Sequence, residues 1–247
     1  MTKVQQSTSP WLLCRRRNPA AQVKIYCFPH SGGSPGEYIR WADDLPDAEV
    51  WGIQLPGRGS RTSDAAVTDV RQLVRALSES VDFQEPFVFF GHSLGALLAF
   101  ETARRLEAEG REVPRRLLLS AMWAPHLRPP RPDVAYQDDA ELLAFVDRKY
   151  GTVPEDVRND AHLAGLMASA YRADFQMLDA YRYESADPLG IPLTLFGGRD
   201  DPVSGQLAGW REHTTYEPRM HLFPGGHFYL RERHQDFMAA VLRAALS

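Results

Sequence analysis

Residues 86–106 read PFVFFGHSLGALLAFETARRL, and the pattern of the chain changes within this one stretch. The residues before Gly91 form a short apolar run rich in phenylalanine and valine, which is typical of a buried β-strand. After Ser93, leucines and alanines recur every three or four positions, which is the spacing of a helix. The stretch therefore predicts a strand, a tight turn and a helix in immediate succession.

The turn itself, Gly91-His92-Ser93-Leu94-Gly95, follows the pattern G-x-S-x-G. Between a strand and a helix, this pattern is the nucleophile elbow of α/β-hydrolases, which holds a serine in a strained turn with its Oγ above the sheet. Glycine is needed on either side because a Cβ there would collide with the neighbouring strand and helix. We therefore predict that Ser93 is a catalytic nucleophile.

A serine hydroxyl needs a base to accept its proton, and eight histidines are available. His227 follows Pro224-Gly225-Gly226, after the last predicted strand and at the start of the last predicted helix, Phe228–Leu246. This is where α/β-hydrolases place the catalytic histidine, so His227 is the predicted base. His92 adjoins the serine, but its side chain is expected to point away, in a structural role.

The chain order serine, acid, histidine places the acid between residues 93 and 227, at the end of a strand. Asp200 and Asp201 follow the predicted strand Ile191–Phe196 and are the two candidates. The spacing G-x-x-D-x-x-V from Gly197 to Val203 favours Asp200 as the acid that orients His227. Asp201 is then expected to cap the following helix.

A loop dense in small residues, Pro29–Gly36, follows the strand-like run Val23–Phe28. Glycines let backbone N–H groups approach a ligand closely, so this loop is predicted to supply half of an oxyanion hole. The expected donors are the backbone N–H groups of Ser31 and Leu94. His30 is a candidate to line the substrate site.

The remaining pattern predicts an α/β fold, with a mainly parallel central sheet and helices on both faces, because strands alternate with helices. Outside the central unit, the predicted strands are Trp11–Arg16, Val23–Phe28, Glu49–Gln54, Arg115–Ser120, Ile191–Phe196 and Arg219–Phe223. We expect a flexible tail over residues 1–10 and one domain over 11–247. Prolines and then helical patterns between two of the strands predict a helical lid inserted at about 125–185.

The composition is that of an ordinary globular protein, with 44% hydrophobic and 24% charged residues among 247. The net charge of −4 shows no long run of one sign, which argues against a nucleic-acid partner. No apolar stretch approaches the roughly 20 residues of a membrane span, and no signal-peptide pattern is present, so we expect a cytoplasmic protein. Cys14 and Cys27 are expected to be buried free thiols.

Four motifs, taken in order, resemble the stand-alone type II thioesterases of polyketide and non-ribosomal peptide biosynthesis. They are Phe28–Gly33, Leu55–Gly59, Gly91–Glu101 and Gly225–Phe228, and the resemblance extends from about Cys14 to the C-terminus. Three positions depart from the family pattern. The family commonly has Ala at Ser31, Met at Leu94 and Glu at Gly59, and none of these departures removes a catalytic group.

The resemblance implies hydrolysis of stalled or mis-primed acyl groups from the phosphopantetheine arm of acyl or peptidyl carrier proteins. It implies no metal and no organic cofactor in the enzyme itself, and we expect a monomer without a membrane partner. Carrier proteins present an acidic helix, so a basic rim is expected. Its candidates are Arg128 and Arg131 at the start of the lid, with Arg58 and Arg61.

Two other functions are compatible with the same fold. A small-molecule carboxylesterase would use the same triad on free oxygen esters. A non-catalytic hydrolase fold would serve as a scaffold, although the complete set Ser93, Asp200 and His227 argues against it. Transfer of the acyl group to a nucleophile other than water is also left open, because the acyl-enzyme step is shared.

Overall fold

A central sheet of eight strands organises the computed structural model, which describes residues 5–6, 9–129 and 138–247. The strands are β1 Gln5–Gln6, β2 Leu12–Cys14, β3 Val23–Phe28, β4 Ala48–Ile53, β5 Phe87–His92, β6 Leu117–Ser120, β7 Leu193–Gly198 and β8 Arg219–Phe223. Their order across the sheet is β1-β2-β4-β3-β5-β6-β7-β8. The neighbouring strands from β4 across to β8 are all parallel, whereas β2 is antiparallel to both of its neighbours, β1 and β4. The predicted mainly parallel sheet is confirmed.

Helices cover both faces of this sheet. They are α1 Pro35–Tyr38, α2 Val70–Ser80, α3 Leu94–Ala108, α4 Asp139–Tyr150, α5 Glu155–Asn159, α6 Ala161–Ala180, α7 Tyr229–Glu232 and α8 His234–Leu246. One apolar core joins the sheet to α2, α3, α4 and α6, and a second joins its other face to α1 and α8. Such a two-sided arrangement buries parallel strands completely, which is why β5 is apolar along its length and buried throughout. The fold is that of an α/β-hydrolase.

Parallel strands bring their carboxyl ends to one edge of the sheet. The loops that follow β3, β5, β7 and β8 therefore meet there, although they are far apart in sequence. These four loops contain the residues that the sequence predicts for the oxyanion hole, the nucleophile, the acid and the base. The topology alone thus gives one place where a site can form.

The segment predicted to be a lid contains α4, α5 and α6, inserted between β6 and β7. Asp138 caps α4 by accepting a hydrogen bond from the Glu141 N–H at 2.8 Å, and Asp160 caps α6 in the same way. Helix α6 buries Tyr171 and Phe175 in the core that also holds α3. The long helix is therefore anchored to the body of the molecule.

Gln5–Gln6 forms a two-residue strand paired with β2. The flexible tail expected over residues 1–10 stays a prediction. The structure corrects two details of the predicted elements. The last helix is interrupted at Arg233 between α7 and α8. The strand after the lid runs to Gly198, two residues beyond its predicted end. Cys14 and Cys27 are buried free thiols, as expected.

In the described part of the chain, no helix combines the length and the apolarity that crossing a bilayer would require.

Candidate active site

Ser93 occupies the turn between β5 and α3 in a backbone conformation that side chains rarely adopt, with φ 54° and ψ −123°. Its N–H donates to the Ser120 carbonyl at 2.8 Å, which holds the turn against the next strand. A Cβ at Gly95 would lie 2.0 Å from the Phe28 carbonyl oxygen, and one at Gly91 would lie 2.1 Å from the Gly95 oxygen. Both glycines are therefore required for the helix to pack this closely, as predicted for a nucleophile elbow.

The predicted base, His227, has a buried carboxylate as its partner. Its Nδ1 lies 2.7 Å from Asp201 Oδ2, which is hydrogen-bonding distance. Since the carboxylate accepts, Nδ1 carries the proton and Nε2 is left to accept one from a serine. The other Asp201 oxygen accepts from the Val203 N–H at 3.1 Å.

The prediction that Asp200 is the acid is therefore wrong, because Asp201 holds His227. The chain turns sharply after β7, and the Asp200 N–H donates to the Gly225 carbonyl at 3.0 Å, which leaves the Asp200 side chain in solvent. Asp201 is buried and faces the carboxyl edge of the sheet. The prediction that Asp201 caps the following helix is confirmed: one of its oxygens accepts from the Val203 N–H, and the other binds His227.

Ser93 and His227 line two adjoining cavities. The larger, which we call the acyl cavity, has a volume of about 240 Å³ and takes part of its wall from Met122, Tyr150 and Leu178. The smaller, which we call the oxyanion pocket, has a volume of about 10 Å³ and also reaches Ser31 and Tyr171. A space of that size accommodates about one oxygen atom. The two cavities together leave room for an acyl chain and for its carbonyl oxygen.

The two predicted oxyanion donors come from different parts of the fold: Leu94 follows Ser93 directly, and Ser31 lies on the loop after β3. Leu94 is the first residue of α3, so its N–H has no acceptor within the helix. Ser31 lines the oxyanion pocket, and the neighbouring Gly32 N–H is already bound to Asp174 Oδ2 at 2.7 Å. The arrangement leaves the Ser31 and Leu94 N–H groups without a hydrogen-bond acceptor among the described residues.

A buried ion pair joins α6 to the loop that follows β4, and its carboxylate also binds the loop that holds Ser31. Arg58 binds Asp174 through both of its terminal nitrogens, at 2.7 and 2.5 Å, and both side chains are buried. Asp174 also accepts from the Gly32 N–H. Burial opposes the charge on Arg58, but the adjacent Asp174 carboxylate raises the pKa of its guanidinium overall. Arg58 is therefore not part of an exposed basic rim, which corrects that prediction.

Sequence reasoning missed Asp174, although a signal was present. The residue lies within the apolar face formed by Tyr171, Phe175 and Leu178, at spacings of three and four along α6. A carboxylate inside an apolar helix face needs a cationic partner. The sequence gives no signal that this partner is Arg58, which lies in a loop 116 residues away.

His30 lies on the same loop as Ser31 and lines the oxyanion pocket, next to the predicted nucleophile. Its Nε2 is 3.2 Å from Glu37 Oε2, and Arg231 holds the same carboxylate at 2.9 and 3.0 Å. Burial alone would raise the pKa of Glu37, but the hydrogen bonds from His30 and Arg231 lower it to about 2. The loop is thus fixed by an ion-paired cluster on each side.

The three remaining candidates for the basic rim are considered one by one. Arg128 is half-buried, lines the acyl cavity and donates to the Leu178 carbonyl at the end of α6. Arg61 pairs with Asp64 at 2.7 Å and lies over the Trp11 ring. Arg131 lies outside the described residues.

His92 has the structural role expected from its position. It is fully buried, and its Nδ1 is 2.8 Å from Ser120 Oγ, which in turn lies 2.7 Å from the Tyr229 hydroxyl. Burial, reinforced by the nearby His227, lowers the pKa of His92 well below its ordinary value. It is therefore neutral beneath the elbow.

An elbow serine and a histidine–aspartate pair line two adjoining cavities, next to two backbone N–H groups that have no acceptor in the described part of the chain. These features define a serine hydrolase site of the α/β-hydrolase type. Comparison with protein families places the chain in the Thioesterase domain family, which matches residues 23–245. The chain belongs to this family, as its four motifs implied.

Three relatives span nearly the whole chain. Linear gramicidin dehydrogenase LgrE from Brevibacillus parabrevis is 35% identical, over 98% of this chain and 94% of its own length. Gramicidin S biosynthesis protein GrsT from Aneurinibacillus migulanus is 33% identical, over 100% and 99%. The solved structure of BorB, a type II thioesterase from the borrelidin biosynthetic cluster, superposes with a TM-score of 0.88 at 32% identity, covering 98% of this chain and 100% of BorB.

Proposed function

We propose that this protein is a stand-alone thioesterase that hydrolyses stalled or incorrect acyl groups from the phosphopantetheine arm of acyl or peptidyl carrier proteins. The observation that carries the proposal is the contact of Ser93 and His227 with one acyl-sized cavity, with Asp201 bound to the histidine. GrsT and BorB, by their names, belong to gramicidin S biosynthesis and to the borrelidin biosynthetic cluster. LgrE is named as a dehydrogenase, but a serine–histidine–aspartate site supports acyl transfer.

The reaction begins when Ser93 Oγ attacks the thioester carbonyl carbon and gives its proton to His227 Nε2. The electron pair of the C=O bond moves to oxygen, where the Ser31 and Leu94 N–H groups stabilise the negative charge. The tetrahedral intermediate collapses, the C–S bond breaks, and the sulfur leaves with the proton from His227. Because a thiol has a pKa near 8.5, it needs less acid assistance than an amine does.

Hydrolysis of the acyl-enzyme repeats the same steps with water. His227 Nε2 takes a proton from the water as its oxygen attacks the ester carbon, and Ser93 Oγ leaves with that proton. Asp201 keeps Nδ1 protonated and stabilises the imidazolium in both halves of the reaction. Apart from the substrate and water, every group used in these steps belongs to this chain.

Intact-protein mass spectrometry of a carrier protein loaded with short acyl chains is the test. Wild-type protein is expected to remove the acyl mass and leave the free-arm carrier, whereas the Ser93→Ala variant leaves the loaded carrier unchanged. A simple oxygen ester is assayed in parallel. Cleavage of the ester with an intact acyl carrier would support the carboxylesterase function instead, and no reaction with either would support the scaffold.

A further inference from the structure

We infer that the side-chain hydroxyl of Ser31, as well as its backbone N–H, donates a hydrogen bond to the oxyanion during thioester cleavage. The inference rests on the proposed function, since it assigns a third donor to that reaction. It adds a side chain to a site whose other donors are backbone groups.

The first observation is an orphaned polar atom. Ser31 Oγ is buried and has no hydrogen-bond partner among the described protein atoms. Leaving a hydroxyl buried and unpaired is unfavourable, so such an atom in a folded protein calls for a function. Two neighbouring backbone groups already have partners: the Ser31 carbonyl lies 2.9 Å from His30 Nδ1, and the Gly32 N–H is bound to Asp174.

The second observation is the position of this residue. Ser31 lines the oxyanion pocket together with Ser93 and His227, and the pocket has room for about one oxygen atom. The pocket is otherwise walled by rings, including those of Tyr171 and Phe175. In a small pocket walled by protein groups, a developing negative charge gains more from a donor than it would in water.

The third observation is the rigidity of the loop. Asp174 and Arg58 hold it from the side of α6, and Glu37 and Arg231 hold it through His30. A donor on a rigid loop needs little reorganisation when charge develops, and a hydroxyl can rotate its hydrogen toward the new oxyanion. The hydroxyl therefore has its acceptor in the transition state and not in the free enzyme.

Ser31→Ala is the first test, with an acyl carrier protein as substrate. We expect kcat to fall about 10- to 100-fold with KM unchanged, somewhat less than the loss measured for a principal oxyanion donor in other hydrolases. Affinity for an alkylboronic acid, whose adduct with Ser93 places an oxygen in the oxyanion pocket, should fall by a similar factor. The melting temperature should stay equal or rise by about 2 °C, because the substitution removes an unpaired buried hydroxyl.

Two matched variants sharpen the result. Ser34→Ala makes the same change at an exposed side chain of the same loop and should leave kcat unchanged. Ser31→Cys keeps the volume but offers only a weak donor, so it should resemble Ser31→Ala. If Ser31→Cys retained full activity, the side chain would be acting by volume, and the inference would fail.

The remaining outcomes are also decisive. Unchanged kcat and boronate affinity in Ser31→Ala would overturn the inference, as would a melting temperature several degrees lower, since the hydroxyl would then serve the fold. An inactive wild-type protein would instead refute the proposed function. If the wild type is active and Ser93→Ala is not, the proposed function stands, and a negative result at Ser31 then counts only against the inference about its hydroxyl.

Discussion

Among single residues, Asp201 is the one on which the site depends beyond the serine and the histidine. Its carboxylate accepts hydrogen bonds from the Val203 N–H and from His227 Nδ1. Its backbone is held as well, because the Asp201 N–H donates to the Gly198 carbonyl. Three hydrogen bonds therefore hold Asp201, two at its carboxylate and one at its backbone. Asp200, one residue earlier, is exposed to solvent.

Replacing each of these aspartates by asparagine separates their roles. We expect Asp201→Asn to lower kcat about 10³- to 10⁴-fold, because an amide would favour the wrong histidine tautomer. Asp200→Asn should stay within about 3-fold of the wild type, since an exposed side chain is exchanged for one of the same shape. The measurement is kcat on an acyl thioester; a larger effect at Asp200 would reverse the assignment.

Helix α6 illustrates how one element serves both packing and the site. Its apolar face packs against the core through Tyr171, Phe175 and Leu178, while Asp174 on the same face binds Arg58 and the Gly32 N–H. The helix thus couples the inserted segment to the oxyanion loop. Removal of one charge leaves its partner buried and unpaired.

Asp174→Ala should therefore lower the free energy of unfolding by about 3–5 kcal/mol, as measured by urea denaturation. The double variant Asp174→Leu/Arg58→Met removes both charges and should recover a large part of that loss. Asp139→Ala breaks an exposed pair with Arg172, also held by α6, and should cost less than about 1 kcal/mol. Equal losses for Asp174→Ala and the double variant would show that packing, not the unpaired charge, is responsible.

At the scale of the whole molecule, a hydrogen-bonded cluster joins the two ends of the inserted segment. His126 near its start lies 2.7 Å from His213 Nε2, and Tyr183 near its end lies 3.4 Å from His213 Nδ1. Burial, together with the charges of His126 and Arg104, lowers the pKa of His213 from 6.5 to about 4. Folding is thereby linked to pH.

The sign of this linkage follows from the two pKa values. Between pH 6.5 and about 4 the unfolded chain binds a proton at His213 that the folded chain does not, so stability falls as the pH falls through this window. On going from pH 7 to pH 5, His213 is expected to lower the free energy of unfolding by about 1–2 kcal/mol. Urea denaturation of His213→Phe at both pH values should show a smaller difference than the wild type does. An unchanged difference would exclude His213 as the source.

From the sequence alone, the fold class and the family are predicted correctly, and the residues predicted as nucleophile and base lie together at one cavity in the structure. These signals are local: a strand followed by Gly91-His92-Ser93-Leu94-Gly95 and a helix requires only neighbouring residues to be recognised. His227 was found in the same way, from the glycines before it and the strand that they follow. Hydrophobic periodicity supplied the sheet and the positions of most helices.

The choice between Asp200 and Asp201 required the folded structure. Two adjacent aspartates differ in the direction in which a turn points their side chains, and the hydrogen bond from the Asp200 N–H to the Gly225 carbonyl sets that direction. The folded structure also shows that Arg58, which was expected at the surface, is the buried partner of Asp174, 116 residues away. The orphaned hydroxyl of Ser31 is likewise visible only when its surroundings are known. Burial and pairing are properties of contacts between distant segments, and these contacts exist only in the folded chain.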